Sequence, residues 1–176
     1  KLVKPVIREL KKRFGEMVYT TKEERTLEEA VVKLLKKNKM SITCAESCTG
    51  GLLAGRIVNV AGASSVFQTG YVTYANQAKR RLLGVKKSTL REFGAVSTQT
   101  AKEMASGALA AAKADVAVSI TGIAGPDGGT ARKPVGLVYI GCSVQGHTIA
   151  QEYRFSGNRE KIRDNAASAA LTLTRR

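Results

Sequence analysis

The chain has 176 residues, of which 43% are apolar and 24% charged, and its net charge at pH 7 is +15. This size and composition are those of one globular domain with room for an appendage, and no apolar run approaches the roughly 18 residues of a membrane span. The positive charge is spread along the chain, with 12 basic and 6 acidic residues in 1–40 and 17 and 8 in 41–176, which suits an anionic ligand or non-specific contact with nucleic acid.

The first 25 residues have the pattern of a helix followed by a linker. Apolar residues recur on one side of the helix: Val3, Val6, Ile7 and Leu10. Phe14-Gly15 would end this helix, Met17–Thr20 could form a short strand, and residues 21–25 are charged. The chain begins at Lys1 without a signal-peptide pattern. We interpret residues 1–25 as the tail of a preceding module plus a linker, and the chain as a fragment of a longer polypeptide.

A capping box marks the beginning of the main domain, which we place at residues 26–176. The Thr26 hydroxyl can accept a hydrogen bond from the Glu29 N–H while the Glu29 side chain reaches back to Thr26. Apolar residues follow at the spacing of one helical face: Leu27, Ala30, Val31, Leu34 and Leu35. This pattern predicts an amphipathic helix that ends near Asn38.

The most informative stretch is Cys44–Gly51, which follows the short apolar run 40–43. The pattern predicts a buried strand that turns sharply into a helix over 52–60. Such a turn places Ser47 at the mouth of a sheet and directs free N–H groups and a helix dipole at a bound group, which suits a nucleophile or an anion. Glu46 could accept hydrogen bonds from the turn, which we favour, or act as a second base. We interpret Cys48 as a small buried residue.

A serine nucleophile needs a base, and the chain offers two candidates. The single histidine, His147, lies at the tip of a predicted hairpin, and we interpret it as solvated. Lys79 is the better candidate, because a lysine partly removed from water can have a pKa low enough to accept the serine proton. On local sequence alone, however, an exposed basic helix beginning with Lys79-Arg80-Arg81 is favoured.

The position of Lys79 depends on the predicted strand 70–75. If this strand lies beside 40–46 and parallel to it, the C-terminal ends of the two strands converge. Tyr74, at the end of the strand, could then relay a proton or fix the lysine.

The remaining pattern alternates short valine-rich runs with longer alanine-rich ones, which favours α/β layering. The predicted elements are a short helix capped by Ser88 and stopped by Gly94, a long helix capped by Ser97, a buried strand 116–120, a hairpin of strands 135–144 and 148–155, and a last helix beginning at Ser156 or Asn158. Alanines on the long helix predict close packing on the sheet.

Two further segments could bind an anion. Thr121 and Gly122 end the strand 116–120, and ligands of open α/β sheets bind at the carboxyl ends of strands. The glycine-rich loop 122–129 could bring N–H groups to an anion or an oxyanion, or could be a plain turn. Arg159, at the start of the last helix, suits a phosphate, although on local sequence a surface arginine is an equal alternative.

The three cysteines, Cys44, Cys48 and Cys142, are odd in number and form no Cys-x-x-Cys motif. We interpret them as reduced thiols of a cytoplasmic protein, without a bound metal.

Five motifs, in this order, resemble those of a known family: Ala45–Gly51 (AESCTGG), Gly70–Lys79 (GYVTYANQAK), Gly94–Ser97 (GAVS), Ser119–Gly129 (SITGIAGPDGG) and Lys133–Gly136 (KPVG). From about residue 26 to the end, the chain resembles the C-terminal domain of the CinA family, the competence/damage-inducible proteins. The same domain occurs alone as bacterial nicotinamide-nucleotide amidase. Residues 1–25 resemble the segment that joins this domain to the N-terminal domains of full-length CinA.

The resemblance implies a three-layer α/β/α fold with a mixed, mostly parallel sheet. It implies hydrolysis of the carboxamide of nicotinamide mononucleotide (NMN) to nicotinate mononucleotide and ammonia, in pyridine nucleotide recycling, without metal or cofactor. By resemblance, Ser47 is the nucleophile and Lys79 the base, with Tyr74 assisting. The substrate-binding residues are then Glu46, Cys48, Thr49, Gly50, Thr121, Gly122, Gly125 and Arg159, with Arg159 facing the substrate phosphate.

The expected partners are NMN, the N-terminal CinA domains of a longer chain and further copies of this chain in a homo-oligomer. Two alternatives stay open at this point. The domain could be a non-catalytic nucleotide-binding or regulatory module of a competence/damage-inducible protein. Its basic surface could also bind nucleic acid without sequence specificity.

Overall fold

A computed structural model describes residues 3–15, 18–21 and 26–175 of the chain. In chain order, its helices and strands are α1 (Val3–Phe14), α2 (Leu27–Asn38), β1 (Ile42–Glu46), α3 (Leu52–Val58), β2 (Phe67–Val72), α4 (Asn76–Leu83), α5 (Lys87–Glu92), α6 (Thr98–Ala112), β3 (Val116–Gly122), β4 (Leu137–Val144), β5 (His147–Arg154) and α7 (Arg159–Thr174).

The strands form one sheet in the order β2-β1-β3-β4-β5. Strands β2, β1 and β3 are parallel to one another, and β3, β4 and β5 are antiparallel. The predicted α/β fold with a mixed sheet is confirmed, with two pairings of each kind rather than a mostly parallel set. The β1–β2 pairing is the parallel arrangement that was needed to bring the ends of these strands together.

Helices cover both faces of the sheet and complete three layers. The larger core lies between one face and α2, α3 and α7, and its fully buried side chains include Val31, Ile57 and Ile162. On the other face, α4 and α6 pack against Ala45 and Ala117. The two helices approach each other so closely that a side chain at Gly107 would overlap the main chain at Leu83.

Several local predictions are confirmed by hydrogen bonds. Thr26 and Glu29 form the reciprocal capping box of α2, Ser97 caps α6, and Asn158 rather than Ser156 caps α7. The β4–β5 hairpin turns at Gln145-Gly146, with His147 exposed at the first position of β5.

Other local predictions are wrong. Leu34 was predicted to be buried but is 37% exposed, and Val32 is buried instead. The buried face of α2 is therefore rotated by part of a turn from the predicted face. Strand β2 ends at Val72, so Tyr74 follows the strand instead of belonging to it. Ser88 lies inside α5, whose N-cap is Lys86.

The predicted strand Met17–Thr20 is also wrong in the part that the structure describes. Residues 18–20 are irregular, and no described strand pairs with them; Met17 lies outside the described residues. Helix α1 has no buried residue, so its apolar side, including Val3, Val6 and Phe14, is exposed. Within the described ranges, no helix combines the length and the apolar character that crossing a bilayer requires.

Candidate active site

A cavity of about 260 Å³ opens at the carboxyl ends of β1 and β3, beside the segment that follows β2. Eight of the eleven predicted site residues line it: Ser47, Cys48, Tyr74, Lys79, Thr121, Gly122, Gly125 and Arg159. The other three predicted residues, Glu46, Thr49 and Gly50, do not line it.

Ser47 and Lys79 meet at the deep end of this cavity. The Lys79 Nζ lies 2.9 Å from the Ser47 Oγ, 2.7 Å from the Thr73 carbonyl oxygen and 3.2 Å from that of Tyr74. A neutral amine has two N–H bonds and one lone pair. With the two carbonyls accepting from the N–H bonds, the lone pair is left for the serine hydroxyl.

The environment of Lys79 favours this neutral form. Its side chain has no exposed surface, and no described carboxylate lies within ion-pair distance of it. Burial lowers the pKa of Lys79 to about 8, because removal from water penalises the charged ammonium. Lys79 is therefore a buried amine poised near neutrality rather than a solvated lysine.

The parallel strands β1 and β2 produce this meeting. Ser47 directly follows β1, and its N–H donates to the Ile120 carbonyl of β3 at 2.9 Å. The Thr73 N–H donates to the Glu46 carbonyl at 2.8 Å, which holds the exit of β2 beside that of β1. Lys79 lies four residues into α4, so the helix returns its side chain over the end of β1.

The Glu46 side chain stabilises the connection between β1 and α3. Its carboxylate accepts hydrogen bonds from the N–H groups of Gly51, Leu53 and Ala54 at the beginning of α3, at 2.8 to 3.1 Å. These are N–H groups that a helix start leaves without an internal partner. The contacts correspond to the structural role that the sequence favoured for Glu46, and they direct its carboxylate to α3 instead of the cavity.

Residues 47–50 form a tight turn, hereafter the nucleophile turn, closed by the Gly50 N–H on the Ser47 carbonyl at 3.2 Å. The guanidinium of Arg163 on α7 donates to the carbonyls of the two middle residues of this turn. Its Nε lies 3.2 Å from the Cys48 oxygen, and its Nη2 lies 2.7 Å from the Thr49 oxygen. The main-chain N–H groups of Cys48 and Thr49 donate to no other residue in the described ranges. Cys48 lines the cavity next to Ser47, whereas Thr49 is completely buried and does not line it.

The opposite wall of the cavity includes Ala95 and Val96, and it is held by side chains from the strand β3 and the loop after it. The buried Thr121 hydroxyl donates to the Ala95 carbonyl at 2.7 Å. The Lys133 ammonium donates to the carbonyls of Phe93 and Val96 at 2.6 and 2.7 Å. Thr121, which was predicted to bind substrate, uses its hydroxyl to fix this wall.

At the mouth of the cavity, Arg159 lies against Tyr74. The Arg159 Nη1 donates to the Gly125 carbonyl at 2.7 Å, and its Nη2 is 3.5 Å from the Tyr74 hydroxyl. Tyr74 is 65% exposed. It fixes the lysine, as one of the two predicted alternatives, but through its main-chain carbonyl rather than its phenol.

The cysteines are poor nucleophiles in this structure. All three are free and buried, and burial raises the pKa of Cys48 and of Cys142 to about 11 and that of Cys44 further. Each is therefore a thiol, not a thiolate, near neutral pH. Within the described residues, no group of His, Cys, Asp or Glu side chains is arranged to hold a metal ion.

Sequence reasoning missed Arg163 and Lys133. Arg163 lies one helical turn after Arg159, so the spacing of the two arginines already placed them on one side of the last helix. Lys133 belongs to the motif Lys133–Gly136, but nothing in that motif indicates that its side chain reaches a loop about 40 residues earlier.

Comparisons with known proteins agree with this architecture. A model of the CinA C-terminal domain matches residues 24–176. A CinA-like protein of Kosmotoga olearia is 53% identical over 175 residues, which are 99% of this chain and 42% of the relative. The chain thus spans about two fifths of the length of the curated relatives it matches.

Two solved structures have the same fold. The competence/damage inducible protein CihA of Agrobacterium tumefaciens is 45% identical with a TM-score of 0.82, over 84% of this chain and 90% of that one. The competence damage-inducible protein A of Klebsiella pneumoniae is 37% identical with a TM-score of 0.83, over 85% of this chain and 94% of that one.

Proposed function

This chain belongs to the CinA C-terminal domain family, and from the pairing of Lys79 with Ser47 we propose that it is an amidohydrolase of NMN. The single observation that carries the proposal is the 2.9 Å contact between the Lys79 Nζ and the Ser47 Oγ inside a cavity. A serine with an adjacent amine of lowered pKa is an activated nucleophile. The substrate follows from the resemblance of the motifs to nicotinamide-nucleotide amidase.

The first half of the reaction forms an acyl-enzyme. Neutral Lys79 takes the Ser47 proton as the Oγ attacks the carboxamide carbon of the substrate. The Cys48 N–H, in the cavity wall next to Ser47, donates to no other described residue, so it is suited to the negative oxygen that develops. Losing one such donor typically lowers kcat about 10²- to 10³-fold.

The second half releases both products. The Lys79 ammonium gives its proton to the amide nitrogen, the carbon–nitrogen bond breaks, and ammonia leaves. Lys79, neutral again, takes a proton from water, whose oxygen attacks the ester of Ser47. The ester bond then breaks and Lys79 returns the proton to Ser47. The product leaves as nicotinate mononucleotide once its new carboxylic acid has released a proton to solvent.

The mouth of the cavity supports an anionic substrate. Arg159 stands at the beginning of the 16-residue helix α7 and uses Nη1 on a carbonyl and Nη2 on a phenol. Neither partner is a carboxylate, so the positive charge of Arg159 is not neutralised by them. A helix N-terminus and an arginine together suit the phosphate of a mononucleotide.

Ammonia release from NMN tests the proposal. Purified protein is incubated with NMN, and ammonia and nicotinate mononucleotide are measured, with the Ser47→Ala and Lys79→Ala variants as matched controls. We expect turnover by the unaltered chain and none by either variant. Circular dichroism should show that both variants retain the fold.

Two results would contradict this proposal. Substantial turnover by Ser47→Ala would exclude the covalent route. Binding of NMN without ammonia release by the unaltered chain would instead favour a nucleotide-binding or regulatory module, the role that remains open for relatives named only as competence/damage-inducible proteins.

A further inference from the structure

We propose that Arg163 is a positioning residue: it holds the nucleophile turn in the shape that presents the Cys48 N–H group, in the cavity wall, to the oxyanion. The inference rests on the proposed amidohydrolase function and extends it to a residue that does not itself line the cavity and has no hydrogen bond to Ser47 or Lys79.

The geometry of the turn carries this inference. Closure by the Gly50 N–H fixes the peptide unit between Ser47 and Cys48. Arg163 fixes the next two units through the Cys48 and Thr49 carbonyls. The Cys48 N–H belongs to the first of these units, so its direction depends on the closure of the turn, and the Arg163 contacts with the two following carbonyls hold that closure.

The Thr49 residue shows that the turn is not internally satisfied. Thr49 is completely buried, yet its hydroxyl has no hydrogen-bond partner in the described part of the chain, and its N–H donates to no other described residue. A buried polar group without a partner costs free energy and calls for a physical reason. Thr49 does not line the cavity, so the two contacts from Arg163 hold the turn in this shape despite that cost.

An arginine is suited to this task because its planar guanidinium donates in two fixed directions. Its contacts with two successive carbonyls use that fork, which a lysine with a single ammonium cannot reproduce. Arg163 is half-buried and lies four residues after Arg159. The two arginines therefore share one face of α7: Arg163 contacts the nucleophile turn, and Arg159 lies at the cavity mouth.

The chain also contains a matched control in Arg56 on α3. Its guanidinium likewise joins α7, through the Ser168 hydroxyl at 2.7 Å and the Asp164 carbonyl at 3.4 Å, and it pairs with Glu28 on α2. Arg56 contacts neither the nucleophile turn nor the cavity. Replacing it removes a comparable link between helices without altering the turn.

Steady-state kinetics on NMN with Arg163→Met, Arg163→Lys and Arg56→Met test the inference. We expect kcat to fall about 10²-fold in Arg163→Met and by a smaller factor in Arg163→Lys, with KM within about threefold because the ground state does not use the oxyanion donors. Arg56→Met should lower the melting temperature and keep kcat. Methylguanidinium added to Arg163→Met should restore part of kcat.

The outcomes separate the two proposals. If the unaltered chain releases no ammonia, the proposed function itself fails. If it is active and Arg163→Lys keeps full kcat, Arg163 is a structural link only, and the inference is overturned even when Arg163→Met cannot fold. A shift in the apparent pKa of kcat/KM in Arg163→Lys would also overturn it, because Arg163 would then act on Lys79 and not on the turn.

Discussion

The two ends of the cavity are built in opposite ways. At the deep end, Lys79 has no exposed surface and the three groups around its Nζ are Ser47 and two main-chain carbonyls. At the mouth, Tyr74 is 65% exposed, and the Arg159 guanidinium lies beside it with one contact at 3.5 Å.

This difference separates two tasks. The deep end is held by strands and by main-chain acceptors, so its geometry is fixed before any substrate arrives, and fixed geometry is what stabilises a transition state. The mouth consists of long side chains that can adapt, which suits recognition of a charged group. Changes at the deep end should therefore alter kcat or folding, and changes at the mouth should alter KM.

The largest effect is expected from Lys79→Met, which keeps the volume of the side chain and removes the amine. Turnover should fall about 10³-fold or more, the usual contribution of a positioned general base. In the unaltered chain, kcat/KM should rise as pH rises through about 8, because the base must be neutral. A pH profile without this inflection would assign the proton transfer to another group.

The same amine should make folding stability depend on pH. The pKa of Lys79 is lowered from 10.5 to about 8, so between these values the unfolded chain binds more protons, and stability rises with pH. The gain is full above 10.5 and is lost as pH falls through 8; it amounts to about 3 kcal/mol. Denaturant unfolding at several pH values should show this rise, and Lys79→Met should lack it relative to the unaltered chain.

Glu46→Ala should destabilise the deep end without touching the reacting atoms. It leaves the N–H groups of Gly51, Leu53 and Ala54 without their acceptor, at a cost of about 3 kcal/mol. Thermal unfolding measures the loss, and Glu46→Gln, which keeps one carbonyl acceptor, should lose less. An unchanged melting temperature in Glu46→Ala would mean that water replaces the carboxylate.

At the mouth, Arg159→Ala should raise KM for NMN about 10- to 100-fold, because a charge-assisted contact to phosphate is worth about 1.5–3 kcal/mol. The value of kcat should change little. Arg154→Ala, which removes an exposed arginine of β5 paired with Glu152, is the matched control and should leave KM unchanged. If the two substitutions raised KM equally, Arg159 would act only through the general positive charge of the surface and not by binding the phosphate.

The smallest effect is expected from Tyr74→Phe. The carbonyl that binds Lys79 is retained, and only the hydroxyl next to Arg159 is lost. Both kcat and KM should stay within about threefold of the unaltered chain. A large fall in kcat would show that the phenol takes part in proton transfer.

Much of the fold could be predicted from the sequence because its signals are local. The capping box at Thr26, the caps at Ser97 and Asn158 and the hairpin at Gln145-Gly146 each depend on a few neighbouring residues. The exact ends of β2 and α5 were wrong because they depend on pairing and packing with distant segments.

The candidate site divides in the same way. By itself, the sequence determined that Ser47 ends a buried strand at a sharp turn, since an apolar run followed by small residues and glycines is a local pattern. Only the tertiary structure decided that Lys79 is buried against Ser47, that Glu46 faces α3, and that Arg163 holds the nucleophile turn. The Lys79–Ser47 contact joins residues 32 apart in the chain, and the Arg163 contacts join residues 114 and 115 apart. These contacts require separate strands and helices to converge, which no local pattern encodes. The Glu46 contacts span only 5 to 8 residues.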